Sequence, residues 1–257
     1  YDYSVRDHKT RYFARQYARA VKQITTPEGV LFLSERQVDA GGNLDRVRSL
    51  LQEEGKTELK EFLTTKTVDK LTFRELKKSA YLAAGAKVIV LEDFVPQLGA
   101  LNVRQETEVL QLWHACGAFK KFGQRGTNIP VPTDIATHAQ YNLVSVSGEN
   151  VRSIYADAFD VNYQKVQALG TPRTDDYFNK KLISKKKRQI YLKHPKLLFK
   201  SVIVYAPTFR DTDGNRNEFH PEINFDLLSK SLLPNQILFI CPHPIMDAPI
   251  LPHEYRN

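Results

Sequence analysis

Four short apolar runs in this sequence hand over abruptly to residues that handle protons or bind phosphate. Glu108–Trp113 is followed by His114-Ala-Cys116-Gly117-Ala-Phe-Lys120-Lys121. Lys165–Leu169 leads into Gly170-Thr-Pro-Arg173-Thr-Asp175, and Ser201–Tyr205 into Ala-Pro-Thr208-Phe-Arg210-Asp211. Gln236–Ile240 ends at Cys241-Pro-His243-Pro. A histidine titrates near neutrality, so it can take a proton from an attacking hydroxyl or stabilise a leaving phosphate. Arginine clamps phosphate oxygens bidentately, and a helix beginning after Gly117 would add backbone donors. Phosphoryl transfer depends mainly on positioning and charge neutralisation, which these residue types offer. The set therefore describes a cationic site suited to a pyrophosphate.

Each residue also has a plainer reading. His114 could bond a backbone carbonyl, Asp175 could be an ordinary helix N-terminal acid, and Arg210 could pair locally with Asp211. One of Lys120 and Lys121 is expected to face solvent. The coincidence of four clusters outweighs these readings taken singly. His8, His138, His194, His220 and His253 lack such company and read as structural or surface residues. Asp211-Thr-Asp213 runs into Gly214-Asn215 and reads as a turn. Both Cys lie two positions from a His, at Cys116 and Cys241, a spacing unusual for structural zinc. No metal site is assigned and no cofactor is required, although a divalent cation could assist.

The elements that must position these residues follow from periodicity. Runs at Gly29–Leu33, Lys87–Leu91 and Tyr141–Val146 join the four above as strands buried on both faces. Amphipathic stretches at Arg6–Ile24, Leu44–Glu54, Phe73–Ala84, Glu149–Phe159, Thr174–Leu192 and Phe225–Leu232 read as helices. Strand and helix in turn predict an α/β, doubly wound architecture, in which ligands bind at the carboxyl ends of the strands. The organisation expected is a Rossmann-like domain of about five strands over residues 1–173, then a basic helical linker over 174–200. A second domain begins at 201 and is still unfinished, with two strands, at 257. Thr174 is expected to cap the linker helix, with Asp175 and Asp176 in its first turn and His194-Pro195 ending it.

Composition bounds the class. The chain has 257 residues, 42% apolar and 11% aromatic, which suits a globular protein with a real core. Two Cys cannot form a disulfide framework and point to a reducing compartment. No apolar stretch is long enough to span a membrane. Tyr1 is not an initiator Met and no signal peptide is recognisable, so preceding residues are expected. Of the net charge of +8, Thr174–Lys200 holds nearly all, with nine basic residues against Asp175 and Asp176. This is either a solvated helix face or a patch that docks on anionic lipid or a polyanionic product. No nucleic-acid module accompanies it.

The motif Leu110-Gln-Leu-Trp-His-Ala-Cys-Gly-Ala-Phe-Lys-Lys-Phe-Gly123 resembles a signature of the CDP-glycerol glycerophosphotransferase family, the teichoic-acid polymerases and primases. Tyr155–Phe159, Leu169–Asp175 and Tyr205–Asp211 resemble its next three signatures in order. The Gly-Ala-Phe-Lys form looks more like the polymerase and ribitol branches than the primases. The resemblance implies a GT-B fold, with two Rossmann-like domains across a cleft. It implies that a hydroxyl of a polyol-phosphate polymer, or of its lipid-linked acceptor, attacks CDP-glycerol or CDP-ribitol and releases CMP. By the same resemblance His114 is the general base and His243 stabilises the donor pyrophosphate. Arg173 and Arg210 contact phosphate with Thr208 nearby, and Gly117, Lys120 and Asp175 complete the substrate-binding set. The family acts in the cytoplasm, peripheral to the inner membrane face. Its later acidic-Tyr-Ser-Ser signature does not occur here, which puts nucleotide binding by this stretch alone in doubt. Two rival readings are a GT-B enzyme using nucleotide sugars and a non-catalytic domain docking on membrane or polyanion.

Overall fold

Strands inside a parallel sheet are buried on both faces, and runs such as Ile89–Leu91 and Leu31–Leu33 satisfy that condition. The computed structural model describes residues 3–35, 42–126, 132–208 and 222–243. It divides into two compact units, Tyr1–Phe178 and Asn179–Asn257.

The first unit contains α1 (Tyr3–Gln23), β1 (Val30–Ser34), α2 (Gly42–Glu53), β2 (Leu59–Leu63), α3 (Phe73–Ala84) and β3 (Val88–Leu91). These are followed by β4 (Glu108–Gln111), α4 (Pro132–Ala139), β5 (Leu143–Ser145), α5 (Glu149–Phe159), β6 (Val166–Gln167) and α6 (Asp175–Phe178). All six strands pair in parallel, in the order β2-β1-β3-β4-β5-β6. Leu31, Leu33, Ile89, Leu91 and Val109 enter one core with residues of α1, α3 and α5. Phe32, Val90 and Leu112 point the other way, onto Leu44, Val47 and Leu51 of α2. The order reverses between β1 and β3, which is where a doubly wound sheet opens its binding crevice.

The second unit holds α7 (Lys180–Lys193), β7 (Ser201–Tyr205), α8 (Phe225–Ser231) and β8 (Gln236–Ile240), with β7 and β8 in parallel. Among the described residues no helix is long and apolar enough to cross a membrane.

Several expectations are corrected. The sheet of the first unit has six strands, not five, because Leu59–Leu63 forms an edge strand. Its Lys60 and Glu61 are exposed, so it lacks the unbroken apolar run that marks an interior strand. Helix α4 was also not anticipated. The helix expected over Thr174–Leu192 is broken. Pro172–Thr174 is a 3-10 turn, α6 is one turn long, and Asn179 restarts the chain by accepting from the Leu182 N–H at 3.0 Å. Thr174 caps neither piece, since its hydroxyl donates to the Thr171 carbonyl at 2.6 Å. No helix follows Gly117, as residues 117–122 are irregular and only Gly123–Arg125 makes a 3-10 turn.

An aromatic cluster ties β4 to α5. Phe159 is fully buried, with the rings of Trp113, Phe122, His138, Tyr141 and Tyr155 centred 4.8–5.8 Å from its own. His138 stacks on Phe159, and burial pulls its pKa down to about 4, so it is a neutral core ring. Phe159→Ala is expected to cost about 3–5 kcal/mol in urea unfolding. A loss below about 1 kcal/mol would show that the cluster is not a packing centre.

Candidate active site at the carboxyl end of the parallel sheet

The chain leaving β4 turns sharply at Trp113, whose backbone is left-handed at φ 54°. A bulky side chain rarely adopts that conformation unless its surroundings impose it. Here the Trp113 N–H donates to the side-chain oxygen of Gln111 at 2.9 Å, and its carbonyl accepts from Asn43 Nδ2 at 2.7 Å. The indole is 6% exposed and packs on Phe122 and Phe159. The turn carries the next residue, His114, out to partial exposure, with its ring 4.5 Å from the indole.

The carbonyls that follow are captured one after another by side chains from other elements. Arg173 Nη2 donates to His114 at 2.9 Å and lies 3.6 Å from Cys116 Sγ. The Tyr155 hydroxyl of α5 donates to Ala115 at 2.8 Å, with the Gly117 carbonyl at 3.4 Å. Burial pushes this phenol up to about 12, so it is a donor at neutral pH. Ser147, between β5 and α5, donates to the Cys116 carbonyl.

Asn43 is completely buried, and its side-chain oxygen accepts from the Arg173 N–H at 3.0 Å. Its own N–H and that of Leu44 donate to Glu92 at 3.1 and 3.4 Å. The free N–H groups at the start of α2 are thereby met by a carboxylate from the end of β3.

A second polar layer lies at the ends of β1 and β3. Ser34 Oγ donates to Asp93 Oδ2 at 2.6 Å, and Gln97 donates to Glu35 at 2.6 Å. Gln111 links this layer to the His114 loop, because its amide donates to the Asp93 carbonyl while its oxygen holds Trp113. Burial, reinforced by Asp93, pushes Glu35 up to about 8, although the bond from Gln97 opposes the shift.

Of the residues anticipated from sequence, the structure brings His114, Gly117 and Arg173 together. Arg173 spends one guanidinium nitrogen on the His114 carbonyl, so it holds the loop as well as offering charge. Asp175 is exposed and lies 3.6 Å from Arg46 of α2. Lys120 lines a separate open pocket of about 530 Å³ with Phe119, Lys121, Arg125, Ile154 and Asp157. Thr208 and His243 belong to the second unit, exposed and each three positions beyond the ends of β7 and β8. The paired register puts both at the carboxyl edge of that sheet. Arg210 lies outside the described residues. Among the described residues no group of three or more His, Cys, Asp or Glu side chains is placed to hold a metal ion.

Sequence reasoning missed Asn43, Glu92, Gln111 and Ser147. A signal existed for Glu92, since Glu92-Asp93 follows an apolar run as abruptly as the basic clusters do. Asn43 had none beyond its place at the start of a helix.

A six-stranded parallel sheet with helices between its strands, followed in the chain by a second parallel pair, places the protein in the α/β class. The chain belongs to the CDP-Glycerol:Poly(glycerophosphate) glycerophosphotransferase family, whose profile matches residues 15–257. It is 36% identical over 89% of its length to a teichoic acid poly(ribitol-phosphate) polymerase of Bacillus spizizenii. It is 29% identical over 97% of its length to the teichoic acid ribitol-phosphate polymerase TarK of Staphylococcus aureus. With a teichoic acid glycerol-phosphate primase of Bacillus subtilis the identity is 31% over 67% of the chain. The chain spans 38%, 52% and 45% of these relatives, respectively. A solved structure of the wall teichoic acid polymerase TagF matches 92% of this chain and 62% of its own, with a TM-score of 0.72 at 17% identity. The family and fold expected from the motifs are both borne out.

The Glu35 layer makes a pH-dependent prediction. Unfolded, Glu35 ionises near its ordinary value of 4.5, whereas folded it keeps its proton to about 8. Between those values the unfolded state binds fewer protons, so stability falls as pH rises, by about 1.4 kcal/mol per unit from this group. Glu35→Gln should remove that contribution and gain on wild type steadily across the window in denaturant titrations. A wild-type-to-variant difference that stays constant with pH would refute a buried neutral acid.

Proposed function

We propose that the protein transfers glycerol phosphate or ribitol phosphate from a CDP-alcohol to a hydroxyl of a teichoic-acid-like polymer or its lipid-linked acceptor. The observation that carries this reading is the match of the family profile across residues 15–257, joined to a β4 loop that presents His114 beside Arg173. His114 acts as general base and receives the proton of the attacking hydroxyl. The acceptor oxygen forms a bond to the phosphorus that bears the polyol. The anhydride bond to CMP breaks, and its electron pair leaves on the CMP phosphate. Arg173 offsets charge close to His114, with Gly117 on the same loop and Asp175 on the same unit as further substrate contacts. On the second unit, Thr208, Arg210 and His243 serve the donor pyrophosphate.

The basic residues of α7 fit docking on an anionic membrane surface at the cytoplasmic side. Lys180, Lys181, Lys185, Lys186, Lys187, Arg188 and Lys193 are exposed, and α7 has no acidic residue. Charge reversal of Lys185, Lys186 and Lys187 should weaken binding to phosphatidylglycerol vesicles and leave the little binding to neutral vesicles unchanged. Equal binding by wild type and variant would remove α7 from the docking surface.

The reaction is tested by CMP release from the full-length protein, offered CDP-glycerol and CDP-ribitol separately with a lipid-linked acceptor. Release is expected with one donor, falling about 10²–10⁴-fold in His114→Ala. His243→Ala should fall as well, with normal folding in both variants. Turnover of UDP- or GDP-sugars without any CMP release would replace this reading with a nucleotide-sugar transferase.

A further inference from the structure

The loop that carries His114 depends on a residue remote from it in sequence. Asn43, at the start of α2, lies 70 positions before Trp113 and 130 before Arg173, yet one amide joins both. Its NH₂ group donates to the Trp113 carbonyl at 2.7 Å, and its oxygen accepts from the Arg173 backbone at 3.0 Å. Arg173, so placed, donates to the carbonyl of His114 at 2.9 Å. The side chain is fully buried. Its backbone is itself anchored on Glu92, so the amide is a fixed bridge and not a mobile contact.

We propose that Asn43 is the positioning residue for His114. It locks the left-handed turn at Trp113 and delivers Arg173 to the next carbonyl, so that the imidazole is held ready before substrate arrives. This rests on the reading of His114 as general base. The NH₂ group is the essential part. A Trp113 carbonyl freed from it is an unsatisfied acceptor beside a backbone that rarely holds such a conformation alone. Asparagine is suited to the task because it donates with one end and accepts with the other.

The test uses Asn43→Ala, Asn43→Asp and His114→Ala in the full-length protein. Three readouts are CMP release, thermal unfolding, and amide hydrogen exchange in peptides covering residues 113–117. In Asn43→Ala, kcat should fall about 10²-fold with the donor KM within about threefold, because loss of alignment acts on the transition state more than on binding. Exchange at 113–117 should quicken. In Asn43→Asp the shape is kept but the donor is lost while the carboxyl is ionised. Burial and the neighbouring Glu92 raise that carboxyl and Arg173 lowers it. Once protonated it can donate to Trp113 again. Its kcat relative to wild type should therefore rise as the pH is lowered through the titration of that carboxyl.

Wild-type kcat in Asn43→Ala would overturn the proposal, because it would make the bridge dispensable. A lowered kcat with wild-type exchange at 113–117 would overturn it too, as would a loss explained by global unfolding alone. Wild-type turnover in His114→Ala would sink the base reading by itself. The exchange data would still decide whether Asn43 holds the loop.

Discussion

Trp113 sits in a left-handed conformation that its side chain does not favour, and much of the first unit's chemistry depends on how that turn is held. Its ring anchors in the aromatic cluster around Phe159, while its N–H and carbonyl are taken by Gln111 and Asn43. A chain leaving a parallel strand would ordinarily run on into a helix. Here it bends aside, and the carbonyls from Trp113 to Cys116 are each bound by a side chain from a different part of the fold. Every such bond fixes backbone that would otherwise be a loop with many conformations. The result is a rigid strap carrying a histidine, and rigidity of this kind lets an acid-base group act without reorganising first.

The electrostatics are divided by position. Doubly wound proteins often offer an open helix N-terminus to phosphate at the point where strand order reverses. In this protein the start of α2 is already occupied by Glu92. Gly42 has φ +59°, a conformation that favours glycine, and a Cβ there would stand 2.7 Å from the Glu92 carboxylate and push it aside. The start of α2 thus binds an internal side chain, and the cationic groups expected to meet substrate come from loops instead. Close by, Glu35 keeps its proton chiefly because burial penalises its charged form, with Asp93 adding to the effect. The carboxyl edge of the sheet therefore combines a neutral acid, sealed carboxylates and a histidine with an arginine beside it.

Much of this was legible in the chain. Interior strands announced themselves as apolar runs, because burial on both faces favours apolar side chains over most of their length. The helices at Phe73–Ala84 and Glu149–Phe159 were readable to the residue from their periodicity. The loops after β4, β6, β7 and β8 stood out because apolar sequence gives way at once to His, Arg and Lys. The half-exposed edge strand β2 was not legible, since it needs no continuous apolar run. Nor was the break at Asn179, where a capping side chain wins over a periodicity that would allow the helix to continue.

Residue types and their order along the chain thus determined the α/β class, the family and the place of His114 at a strand end. Tertiary structure alone decided what holds His114 there. Hydrogen bonds between Asn43, Trp113 and Arg173 join segments up to 130 residues apart, and they leave no local pattern for a sequence to display. An asparagine at the start of a helix looks the same whether it caps that helix or, as here, reaches across to another loop. Only the packed sheet, which brings the ends of β3, β4 and β6 to one edge, makes the difference.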